Sequence, residues 1–193
     1  MSGKIILASS SPYRKALLNR LDLSFTVIGT DIDESPEPGE APQQLVLRLA
    51  EAKALSAARL EPEALIIGSD QVAVLNGSPL GKPGSYENAV RQLRSMSGHC
   101  VHFHTALCLL NAATGTRQCR CVPYDVTFRE LSDAEIERYL MAEQPYRCAG
   151  SFKSEQLGIA LVERMDGEDP TALVGLPLIA LRSMLAQEGL VLP

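Results

Sequence analysis

The chain alternates short, continuously apolar runs with longer segments whose apolar positions recur every three or four residues. That alternation predicts an α/β fold. Ile5-Ile6-Leu7-Ala8 reads as a short buried strand, and Ser9-Ser10-Ser11 as the loop after it. Pro12 stands where a first helical residue belongs, with Ser11 as N-cap, and the helix is expected to reach about Leu21. Phe25 to Ile28 reads as a second strand, and an acidic, proline-rich loop runs from Asp31 to Pro42. Gln43 to Leu60 is a long helical pattern rich in Leu and Ala. Ala64 to Gly68 is a short apolar run that Ser69-Asp70-Gln71 closes, and Val72 to Leu75 continues extended to the turn signal Asn76-Gly77.

The loop Gly81-Lys82-Pro83-Gly84 precedes a helix capped by Ser85 and ended by Gly98. Residues 100–110 and 117–129 pattern as two long strands joined by a turn over Asn111–Gly115. Ser132 and Glu135 form a capping box that opens another helix. Gly150 to Gly158 is a polar loop in apolar surroundings, and Pro177 to Glu188 reads as a closing helix with Gly189 just past its end. No internal repeat and no low-complexity segment interrupts the pattern.

With 193 residues, the chain suits one α/β domain, or two small lobes sharing a cleft. Apolar residues make up 46%, which excludes a disordered chain. A net charge of −5 argues against a broad nucleic-acid surface, so no nucleic-acid partner is expected. It leaves room for a local cluster of cations facing a phosphate chain. Cys100, Cys108, Cys119, Cys121 and Cys148 are odd in number and form no C-x-x-C pair. Free thiols in a reducing compartment are therefore expected rather than a disulfide framework or a zinc ribbon. Met1 to Lys4 leads straight into a strand-like run without the apolar stretch of a signal peptide, and no stretch is long enough to span a bilayer. The expectation is a cytoplasmic protein with no membrane partner.

Four constellations carry candidate chemistry. In Ala8-Ser9-Ser10-Ser11-Pro12-Tyr13-Arg14-Lys15 a strand feeds a serine loop and a helix start. Free N–H groups, hydroxyls and two cations gather there, as a phosphate requires; taken alone, the segment also reads as a capped helix with solvated basic residues. Asp31-Ile32-Asp33-Glu34 offers carboxylates of the kind that Mg²⁺ or Mn²⁺ prefers, or is an ordinary solvated loop. Asp70 ends a buried run, where α/β sheets place ligands, and could hold a metal, activate water or merely cap a turn. Lys53 on the long helix and Lys82 between Gly81 and Pro83 could each face phosphate or solvent. His102 and His104 share one strand face, as do Cys119 and Cys121. Two histidines without a third zinc ligand read as a half-exposed strand, and the cysteine pair likewise lacks partners.

The order of these pieces is more specific than any one of them. ILASSSPYRKALL, VIGTDIDES, LRLAEAKA, IIGSDQV, the GKP loop and residues 148–178, CAGSFKSEQLGIALVERMDGEDPTALVGLPL, together resemble the Maf family of nucleotide pyrophosphatases from about Lys4 to Glu188. The resemblance implies a Maf/ITPase-like α/β fold: a single domain over 1–193, with an elongated mixed sheet flanked by helices and two lobes around a central cleft. It implies Asp70 as proton acceptor, and Glu34 with Asp70 holding Mg²⁺ or Mn²⁺. Ser9, Arg14, Lys53 and Lys82 would hold the triphosphate. Lys15 stands where the family pattern has a second arginine, which keeps the charge and loses the bidentate fork.

Family members that hydrolyse dTTP and UTP read aspartate-threonine at the central motif and carry an AGAYGIQG-like stretch later. Here the motif is Ser69-Asp70-Gln71 and the later stretch is Gly150-Ser151-Phe152-Lys153-Ser154-Glu155. That is similar to the subgroup acting on 7-methyl-GTP, which has an aromatic residue at the place of Tyr13. The residue set suits that base. N7-methylation leaves guanine cationic, and an aromatic face such as Tyr13 attracts a cationic ring. Glu155 can accept from the base's N–H donors, and Gln71 can donate and accept at its edge. The resemblance thus implies hydrolysis of 7-methyl-GTP to 7-methyl-GMP and pyrophosphate, clearing a modified nucleotide. Alternatives are a dTTP/UTP pyrophosphatase of the same family, a non-catalytic nucleotide-binding regulator of cell division, and a zinc hydrolase using His102 and His104. Related folds pair into dimers, so a homodimer is an open expectation to which no residue assigns a surface.

Overall fold

The computed structural model describes residues 4–193. Residues 1–3, read above as the lead into the first strand, lie outside the described residues. The chain divides into two compact units. One runs to Asp70 and takes in Thr105–Val122 and Asp169–Pro193; the other comprises Gln71–His104 and Pro123–Glu168.

In the first unit, β1 (Ile5–Ala8) is buried along its length and pairs in parallel with β2 (Phe25–Val27) and with the first part of β3 (Leu65–Leu75). Parallel neighbours need helical crossovers, and α1 (Pro12–Asn19) and α2 (Pro42–Ala58) supply them. Ser11 caps α1 through its hydroxyl, with Pro12 as first helical residue, as expected. Apolar side chains of β1 and β3 pack with Leu107 and Leu109 and with the C-terminal helices α5 (Pro170–Val174) and α6 (Leu178–Gln187). Fully buried Leu18, Leu176, Leu181 and Leu185 close this core.

The second unit holds the rest of β3, the short strand β4 (Ser78–Leu80) that returns on it, and helices α3 (Tyr86–Met96) and α4 (Asp133–Glu143). It also holds β7 (Val162–Gly167), antiparallel to β6 (Arg117–Phe128). Phe152 packs on Phe103 and Phe128 at ring-centroid distances of 6.1 and 5.1 Å. The strands β5 (Cys100–Asn111) and β6 (Arg117–Phe128) form one hairpin and each contribute to both units. The strand order is β2-β1-β3-β5-β6-β7, with β4 on β3. The fold is thus a seven-stranded mixed sheet with helices. Among the described residues, no helix is long and apolar enough to cross a membrane.

Three expectations change. Ser69-Asp70-Gln71 does not close a strand: β3 runs unbroken from Leu65 to Leu75, because buried Val72–Leu75 continue it and β4 pairs with its end. Asp70 is therefore mid-strand. It still lies two residues beyond Gly68, the partner of the last residue of β1, so the ligand-binding end of the parallel pair is where it stands. The polar stretch 150–158 is not a plain loop. Two 3₁₀ turns, Ala149–Ser151 and Leu157–Leu161, bracket buried Phe152, and Ser151 at the end of the first is itself buried. The elements β4, β7 and α5 have no periodic signature, since they are three to six residues long and β7 alternates weakly on an exposed face.

Gly68 decides how closely α2 approaches β3. A Cβ there would lie 2.1 Å from the Ala50 carbonyl oxygen and 3.0 Å from Ala54 N. Neither helix backbone atom can swing away as a flexible side chain would. Gly68→Ala is expected to cost about 3 kcal/mol of stability, read as a lower urea midpoint at unchanged m value.

Candidate active site

The helix α2 buries a stripe of Val46, Leu49, Ala50, Ala54 and Ala57, and Lys53 belongs to that stripe. Its side chain is only 8% exposed. A buried ammonium must be compensated. Lys53 Nζ donates to Asp70 Oδ1 at 2.6 Å and pairs with Glu34 Oε1 at 2.6 Å. The close approach allowed by Gly68 brings α2 alongside β3, so that helix and strand deliver Lys53 and Asp70 to one point. Glu34 reaches the same ammonium from the acidic loop and remains half exposed.

Arg14 on α1 is the second cation. Its Nε donates to the Gly175 carbonyl at 2.8 Å and its Nη1 to Ser9 Oγ at 3.2 Å. Burial pulls the guanidinium below its usual value, while the Asp70 and Glu34 carboxylates hold it up. Ser9 is itself buried, and its Oγ accepts from the Ser11 amide at 3.3 Å. The first unit thus brings together Ser9, Arg14, Glu34, Lys53 and Asp70. Tyr13 is half-buried on the same helix as Arg14. In the second unit, Gln71 follows Asp70 on β3, Lys82 is exposed in the loop before α3, and Glu155 is exposed between the two 3₁₀ turns.

Sequence reading missed the supports of this site. Fully buried Ser69 shares its hydroxyl proton between the carbonyls of Ala106, at 2.8 Å, and Gly175, at 2.9 Å. Gly175 thereby receives both Ser69 and Arg14, with φ +111° and Arg14 Nε 3.4 Å from where a Cβ would sit. Buried Asp169 shapes the turn leading to it. Its carboxylate accepts from the Thr171 amide at 2.9 Å, the Thr171 hydroxyl at 2.5 Å and the Ile179 amide at 2.9 Å. The only sequence signal was Asp169-Pro170 before a helix and Gly175 after it.

The donor set fits a hard divalent cation. Glu34 and Asp70 offer carboxylate oxygens converging on one ammonium position, as Mg²⁺ and Mn²⁺ require when phosphates and water complete the shell. The structure also revises two minor readings. Cys119 does have a neighbour, the Sγ of Cys108 at 2.7 Å, and all five cysteines are free thiols. His102 is joined by Cys100 and Asp125 rather than standing with His104 alone.

The Maf-like protein family model matches residues 4–188. A protein from Methylobacillus flagellatus named 7-methyl-GTP pyrophosphatase is 60% identical over 185 residues, covering 96% of each chain. One of the same name from Thiobacillus denitrificans is 56% identical over 188 residues, 97% of this chain and 94% of its own. Among solved structures, the Staphylococcus aureus Ham1 protein is similar at 17% identity and a TM-score of 0.48, over 66% of this chain and 72% of its own. The chain belongs to the Maf family.

Asp169→Ala would leave the Thr171 and Ile179 amides and the Thr171 hydroxyl without their acceptor. A loss of about 2–4 kcal/mol is expected, measured by chemical unfolding.

Proposed function

We propose that this chain hydrolyses 7-methyl-GTP to 7-methyl-GMP and pyrophosphate, clearing a modified nucleotide. The observation that carries the reading is the Lys53 ammonium held between Asp70 and Glu34, beside Arg14, past the end of β1. A binding module has no need of a base, paired metal-ligand carboxylates and buried cations in one place. The names of relatives at 56–60% identity support the same activity and substrate.

Water attacks the α-phosphorus in line, and pyrophosphate leaves. Asp70 accepts the water's proton. Ser9, Arg14, Lys53 and Lys82 hold the phosphates, and their charge matches the negative charge that builds on the bridging and leaving oxygens. When a phosphate arrives, the Lys53 ammonium exchanges a carboxylate partner for it, which frees an Asp70 oxygen to face the attacking water. Arg14 and Lys53 balance only Glu34 and Asp70, so the triphosphate brings charge that these four groups leave unneutralised. Glu34 and Asp70 would hold Mg²⁺ or Mn²⁺, which supplies that neutralisation when bound. Tyr13 faces the cationic base, Glu155 accepts from its N–H donors, and Gln71 reads its edge.

Pyrophosphate release is measured over 7-methyl-GTP, GTP, dTTP and UTP, with Mg²⁺ or Mn²⁺ and with EDTA. The expected result is preference for 7-methyl-GTP, lost in EDTA. Preference for dTTP or UTP would move the chain to the other subgroup, and no release from any nucleotide would make it a binder. Asp70→Asn is expected to lower kcat by at least about a hundredfold while nucleotide affinity stays within a few-fold; wild-type-like kinetics would remove Asp70 from the mechanism. Glu155→Gln or Gln71→Thr is expected to relax base choice more than it slows hydrolysis. Unchanged selectivity over the same panel would overturn the base assignment.

A further inference from the structure

We propose that the second unit binds one zinc-class divalent cation through Cys100 and His102 of β5 and Asp125 of β6. One donor atom from each of the three lies within 4.8 Å of the other two. Cys100 and His102 alternate along β5 and therefore share a face. The Phe128 amide donates to the His99 carbonyl at 2.9 Å, a register that sets Asp125 against His102. His102 Nδ1 and Asp125 Oδ1 are 2.7 Å apart.

A cross-strand histidine–aspartate pair by itself is an ordinary surface contact. The cysteine distinguishes this one, because an ion pair has no use for a sulfur within reach of both members. Thiolate, imidazole and carboxylate together form the donor set of zinc and its borderline-soft neighbours, not of Mg²⁺ or Mn²⁺. Tetrahedral zinc with bonds of about 2.0–2.3 Å places its donors about 3.5 Å apart. The site needs only small side-chain rotations to reach that: the 2.7 Å pair opens, and the sulfur closes in. The cation takes the place of the direct His102–Asp125 contact. Three protein ligands leave a fourth position for water or for His104, on the same face of β5 two residues along.

The surrounding charge suits a cation. Asp166 of β7 stands directly opposite Asp125 in the sheet. Arg164, also on β7, is tied to Asp166 by an ion pair at 2.5 Å. Both His102 and Asp125 keep over two-fifths of their side chains exposed, so the ion can load and unload from solvent. This site lies outside the residues assigned to phosphate chemistry, and its donors are of a different class. Bound there, a cation clips β5 to β6.

The full, reduced, metal-free chain is titrated with Co²⁺ as a spectroscopic probe, without nucleotide. The expected result is one equivalent bound, with tetrahedral d–d bands and a near-ultraviolet thiolate charge-transfer band. Zn²⁺ displaces it and Mg²⁺ does not. Cys100→Ser removes the thiolate band, and His102→Gln and Asp125→Asn each weaken binding at least tenfold. Zn²⁺ raises the thermal midpoint of the wild-type chain but not of Cys100→Ser, whose pyrophosphate release with Mg²⁺ is unchanged. Absence of Co²⁺ binding, or a thiolate band that survives Cys100→Ser, overturns the proposal. Circular dichroism of Cys100→Ser confirms that it is folded, so a lost band reports the ligand rather than the fold.

Discussion

An ammonium buried in the apolar stripe of a helix constrains everything around it. Lys53 occupies a position that α2 otherwise fills with Val46, Leu49, Ala50, Ala54 and Ala57. Removing that charge from water is costly unless carboxylates meet it at hydrogen-bond distance. Asp70 and Glu34 both do so. Meeting Asp70 requires α2 to lie close on β3, and only a residue without a Cβ at position 68 permits that approach. Meeting Glu34 requires the acidic loop to fold back over the helix. One compensated cation thus fixes the spacing of helix and strand, the place of Asp70 and the course of a loop.

Arg14 is held by a different device. Its guanidinium is oriented by a neutral hydroxyl and a backbone carbonyl, while the carboxylates act on it through space. Such anchoring leaves its charge available to a ligand and removes little of its hydrogen-bonding capacity. The carbonyl concerned belongs to Gly175, far along the chain, whose position depends on Ser69 and on the turn built around Asp169. Orientation is in place before any ligand arrives, so a ligand's binding need not provide the free energy to order the side chain. Both unit-one cations are therefore preorganised, one by opposite charge and one by dipoles.

How much of this could be read from the sequence follows from the range of the forces involved. Caps at Ser11, Ser85 and Ser132 involve residues three or four apart, and each helix began where its cap said. β1 and the first residues of β3 are continuous apolar runs and were equally legible. Asp70 was placed just past the buried run Ala64 to Gly68 but was taken for a strand end, because a polar triplet in an apolar run is locally indistinguishable from a stop. What prolongs β3 is its pairing with β4, an interaction that composition does not display.

The supports of the site were not legible for a stricter reason. Ser69 with Ala106 and Arg14 with Gly175 are partners separated by 37 and 161 residues, and neither partner's backbone carbonyl carries any signature in its residue type. A carbonyl acceptor exists at every position, so a sequence cannot single one out. Charge behaves differently. Lys53 is in phase with the apolar positions of its own helix, and a lysine in that phase demands a buried acid somewhere in the chain. The helical phase of Lys53 calls for such a partner, but the sequence reading left Lys53 facing phosphate or solvent, and the folded structure identifies the partner as Asp70. The same reasoning does not reach Glu34, whose loop has no periodicity to constrain it, and only the folded structure brings it to Lys53.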